Sequence, residues 1–262
     1  MTDTSAAGTG AEPLRVARLR PGALVAGLVA VLGAMVIGMA LGPVDISPKL
    51  IVYELLDDLP LINLDSGLSA QRVAIIEQIR LPRVVLGFLV GATLSVSGAA
   101  YQGAFRNPLA DPYLLGIAAG AGLGATVAIT QDWGDGGGFT DPVPLAAFGG
   151  ALLAVVLSYT AGHVGGRSTA SLILAGVAVA SFLTAAQTYV LQANSDAFRE
   201  VYAWILGRIA TSGWSEVVLM VPYFLLAAGI VFRYRRALDV LAVGDEEAQA
   251  PVSYTHLTLP TT

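Results

Sequence analysis

The sequence has no cysteine, one lysine, two histidines and little charge of either sign. Without cysteine there can be no disulfide, thiol nucleophile or thiolate metal site. The single lysine, Lys49, stands in Asp-Ile-Ser-Pro-Lys-Leu, so a GxxxxGK[ST] phosphate loop is absent. If the protein takes part in an ATP-driven process, another chain hydrolyses the ATP. Charged residues make up 13 % of the 262, against about 25 % in an average soluble domain. That is too little to cover a water-facing surface. The net charge of −5 leaves no basic footprint for nucleic acid.

What the sequence does have is 55 % hydrophobic residues, 30 glycines and a mean hydropathy of +0.70. That composition predicts an all-α, polytopic membrane protein lying in membrane lipid. Crossing ~30 Å of hydrocarbon takes about 20 apolar residues. Six stretches qualify: Ala23–Leu41, Val84–Phe105, Leu114–Thr130, Val143–Gly162, Leu172–Leu191 and Val217–Phe232. The third is the shortest and richest in glycine. Hydrophobicity is continuous rather than alternating, which speaks for helices over a β-barrel.

Arg15, Arg18 and Arg20 precede the first span, and Arg233, Arg235 and Arg236 follow the sixth. A cytoplasmic N-terminus satisfies the positive-inside rule at both ends and also brings Arg106 and Arg167 inside. Residues 1–20 read as a polar cytoplasmic tail without signal-peptide character. Residues 43–83 form the longest external connection. A short interfacial helix is expected there after Ser47-Pro48, with Pro82 separating it from span two. Residues 192–213 hold a second amphipathic external stretch.

Small residues recur every fourth position at Gly87, Gly91, Ser95 and Ala99 on span two, and at Gly116, Gly120 and Gly124 on span three. Such faces let helix backbones approach closely. Span five carries Ser181, Thr184, Gln187 and Thr188 on one helical face. Two readings stand for that face: lining of a water-filled path, or ordinary interhelical hydrogen bonding. His163 lies at a helix end and takes no catalytic role. The spans hold no nucleophile–base set and no carboxylate pair, so neither a catalytic site nor a metal site or cofactor is expected.

Two stretches are distinctive. One is Gln78-Ile79-Arg80-Leu81-Pro82-Arg83 at the mouth of span two. The other follows its far end: Gln102, then Arg106-Asn107-Pro108-Leu109-Ala110-Asp111-Pro112, and Leu115-Gly116 opening span three. Together they resemble the FecCD-type permeases, membrane subunits of ABC importers for iron–siderophores, haem and cobalamin. Weaker echoes are Leu172–Ala178, Trp204-Ile205-Leu206-Gly207 and Ala237–Ala248. The resemblance implies a permease domain over residues 21–250 in the bacterial plasma (inner) membrane. It also implies a homodimer or a pair with a related permease subunit, two cytoplasmic ATPase subunits and an extracytoplasmic substrate-binding protein. Carried over by position, Arg80 and Arg83 would face the binding protein; headgroup contact or a local salt bridge is the competing reading. Leu241, Gly244, Asp245, Glu246 and Ala248 would belong to an ATPase-coupling helix beginning near Ala242–Ala248. The residues Gln102, Arg106, Asn107, Pro108, Leu109, Ala110, Pro112 and Gly116 would form the turn between spans two and three.

The family fold has about ten spans, where six are legible here, so the chain reads as a fragment. Residues 251–262 have no span character. Back-translated from Val252 onward, they match a transposon adapter used in sequencing libraries, and are expected to be non-native. The rival reading is a secondary transporter or channel-like protein needing no ATPase. The Leu-Ala-Val-Gly-Asp-Glu-Glu-Ala segment and the lack of an ionisable residue within a span speak against it. A membrane scaffold without transport is the third reading, and the polar face of span five speaks against that one.

Overall fold

The computed structural model describes residues 20–57, 66–133, 141–166, 168–207, 209 and 212–243, with side chains as far as Asp239. Every regular element among them is helical. The chain divides into two compact units, Met1–Leu68 and Ser69–Thr262. The expected coupling residues Gly244, Asp245, Glu246 and Ala248, the arginines Arg15, Arg18 and Arg167, and the stretch 251–262 lie outside the described residues.

The first unit contains α1 (Pro21–Ala40) and α2 (Pro48–Asp57). Arg20 is extended and Pro21 takes the first helical position, where its fixed φ suits the helix and its missing N–H costs nothing. Leu24, Val25, Leu28, Val29 and Leu32 are each more than half exposed, and Met39 is the one buried residue of α1. An apolar helix of 20 residues with open side chains around it suits lipid rather than water. As expected, α2 follows Ser47-Pro48. The Ser47 carbonyl accepts from the N–H groups of Leu50 and Ile51, and the Ser66 hydroxyl donates to the Glu54 carboxylate.

The second unit opens with one helical run of 36 residues, Ala70–Phe105. It consists of α3 (Ala70–Ile75), a π turn (Ile76–Arg80) and α4 (Leu81–Phe105). This corrects the expectation that Pro82 separates an outer segment from a span beginning near Val84. The π turn explains how the helix passes through proline. Proline breaks a helix because its ring clashes with the carbonyl four residues back and offers no N–H. A widened turn just before it moves that carbonyl aside.

A further correction concerns the third span. Pro112–Leu115 forms a 3₁₀ turn, Gly116 sits at φ 71°, and α5 (Ile117–Thr130) has only 14 residues. At about 1.5 Å per residue that is roughly 21 Å, short of a bilayer core. Among the described residues five helical runs are long and apolar enough to cross; α5 is a shorter apolar helix. The cause is local. The extended Asp111 before Pro112 and the left-handed Gly116 reset the chain direction twice before the helix can propagate.

The remaining helices are α6 (Pro142–Val164), α7 (Thr169–Ala193), α8 (Phe198–Ile205), α9 (Trp214–Arg233) and α10 (Arg235–Val243). Asp141 caps α6 by accepting from Val143 N–H at 3.1 Å, and Ser168 caps α7 by accepting from Ser171 N–H at 3.0 Å.

Two packing groups result. In the first, α5, α6 and α7 pack on one another around small residues. A Cβ on Gly120 would stand 2.2 Å from the Gly150 carbonyl oxygen, and one on Gly124 2.1 Å from that of Ala146. Only glycine permits that crossing. In the second, Leu86 and Leu89 of α4 pack with Val217 of α9, flanked by Val85, Met220, Val221 and Phe224. The stripe expected to pack on span two meets no neighbour among the described residues: a Cβ on Gly87 or Gly91 would meet nothing within 4 Å, and Gly91, Ser95 and Ala99 are exposed. Among the described residues α4 turns Leu86 and Leu89 toward α9 and leaves this face open.

Candidate functional site

Arg80 and Arg83 bracket Pro82 at the N-terminal end of α4. The structure differs from the sequence expectation of two exposed cations. Arg80 closes the π turn and is only 7 % exposed. Arg83 is half-buried, and its Nε is shut off from solvent with no hydrogen-bond partner. Of the two, Arg83 is the one that presents surface. Trp214, opening α9, donates its indole N–H to the Glu77 carbonyl at 2.9 Å beside them.

The other end of α4 is closed by a turn made of the distinctive motif. Asn107 N–H donates to the Gln102 carbonyl at 3.2 Å and Arg106 N–H to that of Gly103 at 3.4 Å, with Arg106 left-handed at φ 52°. This is the Schellman arrangement with arginine where glycine is usual. Asn107 then builds an Asx turn, its Oδ1 accepting from Leu109 N–H at 2.9 Å. Its carbonyl accepts from Ala110 N–H at 3.0 Å, and Ala110 is buried. Pro108 is exposed, and Leu109 is 84 % exposed and Tyr113 66 %, unusual for apolar side chains at a helix end. Asp111 accepts from Tyr113 N–H at 2.7 Å to start the 3₁₀ turn at Pro112.

That turn is gripped from two sides. Ser158 of α6, fully buried, donates to the Leu115 carbonyl at 3.0 Å. Gly176 of α7 admits the Leu114 carbonyl so closely that a Cβ would stand 1.9 Å from its oxygen. Sequence reading missed this grip. A serine and a glycine in long apolar runs look like packing residues until the carbonyls they meet are known.

The four polar residues of α7 do not act together. Gln187 points to α5, its Nε2 donating to Thr126 Oγ1 at 3.1 Å. Thr126 is fully buried and donates on to the Gly122 carbonyl at 2.7 Å. Ser181, Thr184 and Thr188 are exposed. Ser181 bonds back to the Val177 carbonyl at 2.9 Å and Thr188 to that of Thr184 at 2.9 Å. The helical period separates them: Gln187 falls in the stripe of buried Gly176, Leu183 and Leu191, and the other three fall beside it.

Beyond α9, helix α10 runs from Arg235 to Val243, and the helix expected to begin near Ala242–Ala248 lies for the most part outside the described residues. Leu238 lies against α4, 3.7 Å from where a Cβ on Gly103 would stand. Leu241 belongs to α10 by its backbone.

These geometries meet a family model, that of the FecCD transport family, which matches residues 28–251. The chain belongs to the FecCD transport family. Among its relatives, the ABC transporter permease protein YvrB of Bacillus subtilis is 41 % identical over 177 residues, covering 67 % of this chain and 50 % of YvrB. The cobalamin import system permease protein BtuC of Halobacterium salinarum is 37 % identical over 186 residues, 71 % of this chain and 49 % of that protein. The Fe(3+)-citrate import system permease protein YfmE of Bacillus subtilis is 33 % identical over 214 residues, 82 % and 60 % respectively. The chain thus spans about half the length of the curated relatives it matches. The fold resembles a solved inward-facing metal-chelate type ABC transporter, with a TM-score of 0.67 at 24 % identity, over 88 % of this chain and 68 % of that one. A FecCD-family chain with this helical, lipid-suited fold is a multi-pass membrane protein.

Proposed function

We propose that this FecCD-family chain forms part of the permease of an ATP-driven importer for a metal chelate, with an iron–siderophore complex as first expected cargo and haem or cobalamin as alternatives. The family match over residues 28–251 carries this reading. The relatives' names support it, since they include permeases of cobalamin and iron-citrate import systems. In this reading the N-terminus is cytoplasmic and the protein pairs with a second permease subunit. Two ATPase subunits dock near α10 and the 106–112 turn, and a binding protein docks at the N-terminal mouth of α4. Arg83 makes the contact there and Arg80 is its buried companion. Exposed cations at such a mouth steer an acidic partner and raise the encounter rate. Ser181, Thr184 and Thr188 are the candidates for lining a path; Gln187 serves interhelical bonding.

The test uses a full-length permease carrying this segment, reconstituted in vesicles with an ATPase subunit and binding protein. Uptake of a radiolabelled iron chelate is expected to need both ATP and the binding protein. Arg83→Glu is expected to weaken binding-protein docking at least tenfold, more than Arg83→Gln. Uptake driven by an ion gradient without ATP would overturn the reading in favour of a secondary transporter.

A further inference from the structure

Trp214 and Pro82 answer one another across two helices. In the π turn Ile76–Arg80 an N–H reaches five residues back, and Leu81 N–H donates to the Ile76 carbonyl. The next carbonyl in that register, Glu77, calls for an N–H at position 82. That position is proline, which has none. Trp214 Nε1 donates to this same carbonyl at 2.9 Å, across 137 residues of sequence. The first turn of α9 steadies the tryptophan. Glu216 Oε2 accepts from Gly213 N–H at 2.7 Å and from the Ser215 hydroxyl at 2.9 Å.

We propose that Trp214 is a positioning residue for the mouth of α4. Its indole N–H replaces the donor that Pro82 lacks, holds the π register, and makes the arginine-bearing end of α4 move with α9. A competing register exists. In ordinary α spacing Pro82 would orphan the Gln78 carbonyl instead, and the segment before it would turn by about 100° relative to α4. The indole bonds the Glu77 carbonyl, so it selects the π register by one hydrogen bond at a helix pair's edge. A mouth able to take either register is a two-state element, and in the observed one α9 holds it. The far end of α9 runs into α10, whose Leu238 rests at Gly103 of α4. A change of register at Arg80 reaches α9 directly and α10 through it. This last consequence rests on the proposed docking role of Arg83.

A double-mutant cycle on the 262-residue chain in detergent tests the bond. Trp214→Phe keeps the ring packing and removes the N–H. It is expected to lower the thermal midpoint by several degrees in the parent chain and to leave it unchanged in the Pro82→Ala background, where a backbone donor is restored. Equal losses in both backgrounds overturn the proposal. Hydrogen exchange of the indole N–H, followed by NMR, needs no variant. Trp214 is itself 39 % exposed against 54 % for Trp133, so the hydrogen bond is what is expected to slow its exchange below that of Trp133, and exchange at the rate of Trp133 overturns it. In the reconstituted full-length transporter, Trp214→Phe is expected to cut the ratio of binding-protein-stimulated to basal ATPase activity several-fold, with docking affinity kept. An unchanged ratio alongside lost docking in Arg83→Glu overturns the coupling and spares the docking reading. Undiminished docking in Arg83→Glu overturns the reading itself.

Discussion

Arg106 occupies a position that chemistry assigns to glycine. A left-handed residue closing a Schellman turn costs an L side chain roughly 1–2 kcal/mol, and the sequence bears that cost at φ 52°. Arg106→Gly is therefore expected to raise the thermal midpoint of the chain in detergent, by the equivalent of about 1 kcal/mol. A fall would mean that the arginine side chain's own interactions outweigh its backbone strain. Its neighbour works the other way. Asn107→Ala removes the acceptor for Leu109 N–H and is expected to cost about 1 kcal/mol. Yield of the assembled permease should fall with it, and transport in proportion. Stable, abundant Asn107→Ala protein without transport would give Asn107 a direct part in gating or coupling. The motif residues were legible in the sequence because two prolines and an asparagine have strong turn chemistry. The left-handed arginine was not, since nothing in its side chain announces it.

At the scale of the helices, small residues in the sequence have two different fates. Gly120, Gly124 and Gly150 sit where α5 and α6 touch, and Gly87 and Gly91 look onto open space. Gly150→Ala should therefore push the two helices apart. A Cβ there would stand 2.1 Å from the Gly120 carbonyl oxygen, and overpacking of this kind costs about 1–3 kcal/mol. Gly91→Ala should stabilise the same chain by up to about 1 kcal/mol, through helix propensity alone. Thermal unfolding of the pair in detergent checks the contrast. A loss at Gly91→Ala as large as at Gly150→Ala would place a packing partner on α4. The four-residue spacing is identical on both helices, so sequence alone cannot say which stripe finds a neighbour. The same holds for α7: the polar residues are plain in the sequence, but the 3.6-residue period sends Gln187 to Thr126 and the other three elsewhere.

For the whole molecule, orientation is the property that sequence charge sets and coordinates do not. The arginines around span one and after span six predict a cytoplasmic N-terminus. In a cysteine-free chain this is open to direct labelling. Leu109→Cys and Asp196→Cys place single thiols at exposed positions on the 106–112 turn and between α7 and α8. With α5 counted as a short sixth span between them, an impermeant maleimide applied to intact spheroplasts is expected to label position 196 and spare position 109; the reverse pattern would invert the topology, and equal labelling of both would mean that α5 does not cross.

Composition by itself determined the class of this protein. With so little charge and so much apolar sequence, the backbone must satisfy its own hydrogen bonds, and helices in lipid follow. The motifs at 78–83 and 102–116 determined the family, because turn chemistry and proline placement are local. Only the tertiary structure decided how many runs are long enough to span, which arginine keeps a surface, and where α10 begins. It alone showed that Ser158 and Gly176 grip the Leu114–Leu115 carbonyls and that Trp214 reaches Glu77. The reason is the same in each case. A carbonyl left over by a proline, a left-handed residue or a short helix has no mark in the sequence naming its donor, and the partner is chosen by which helices lie side by side.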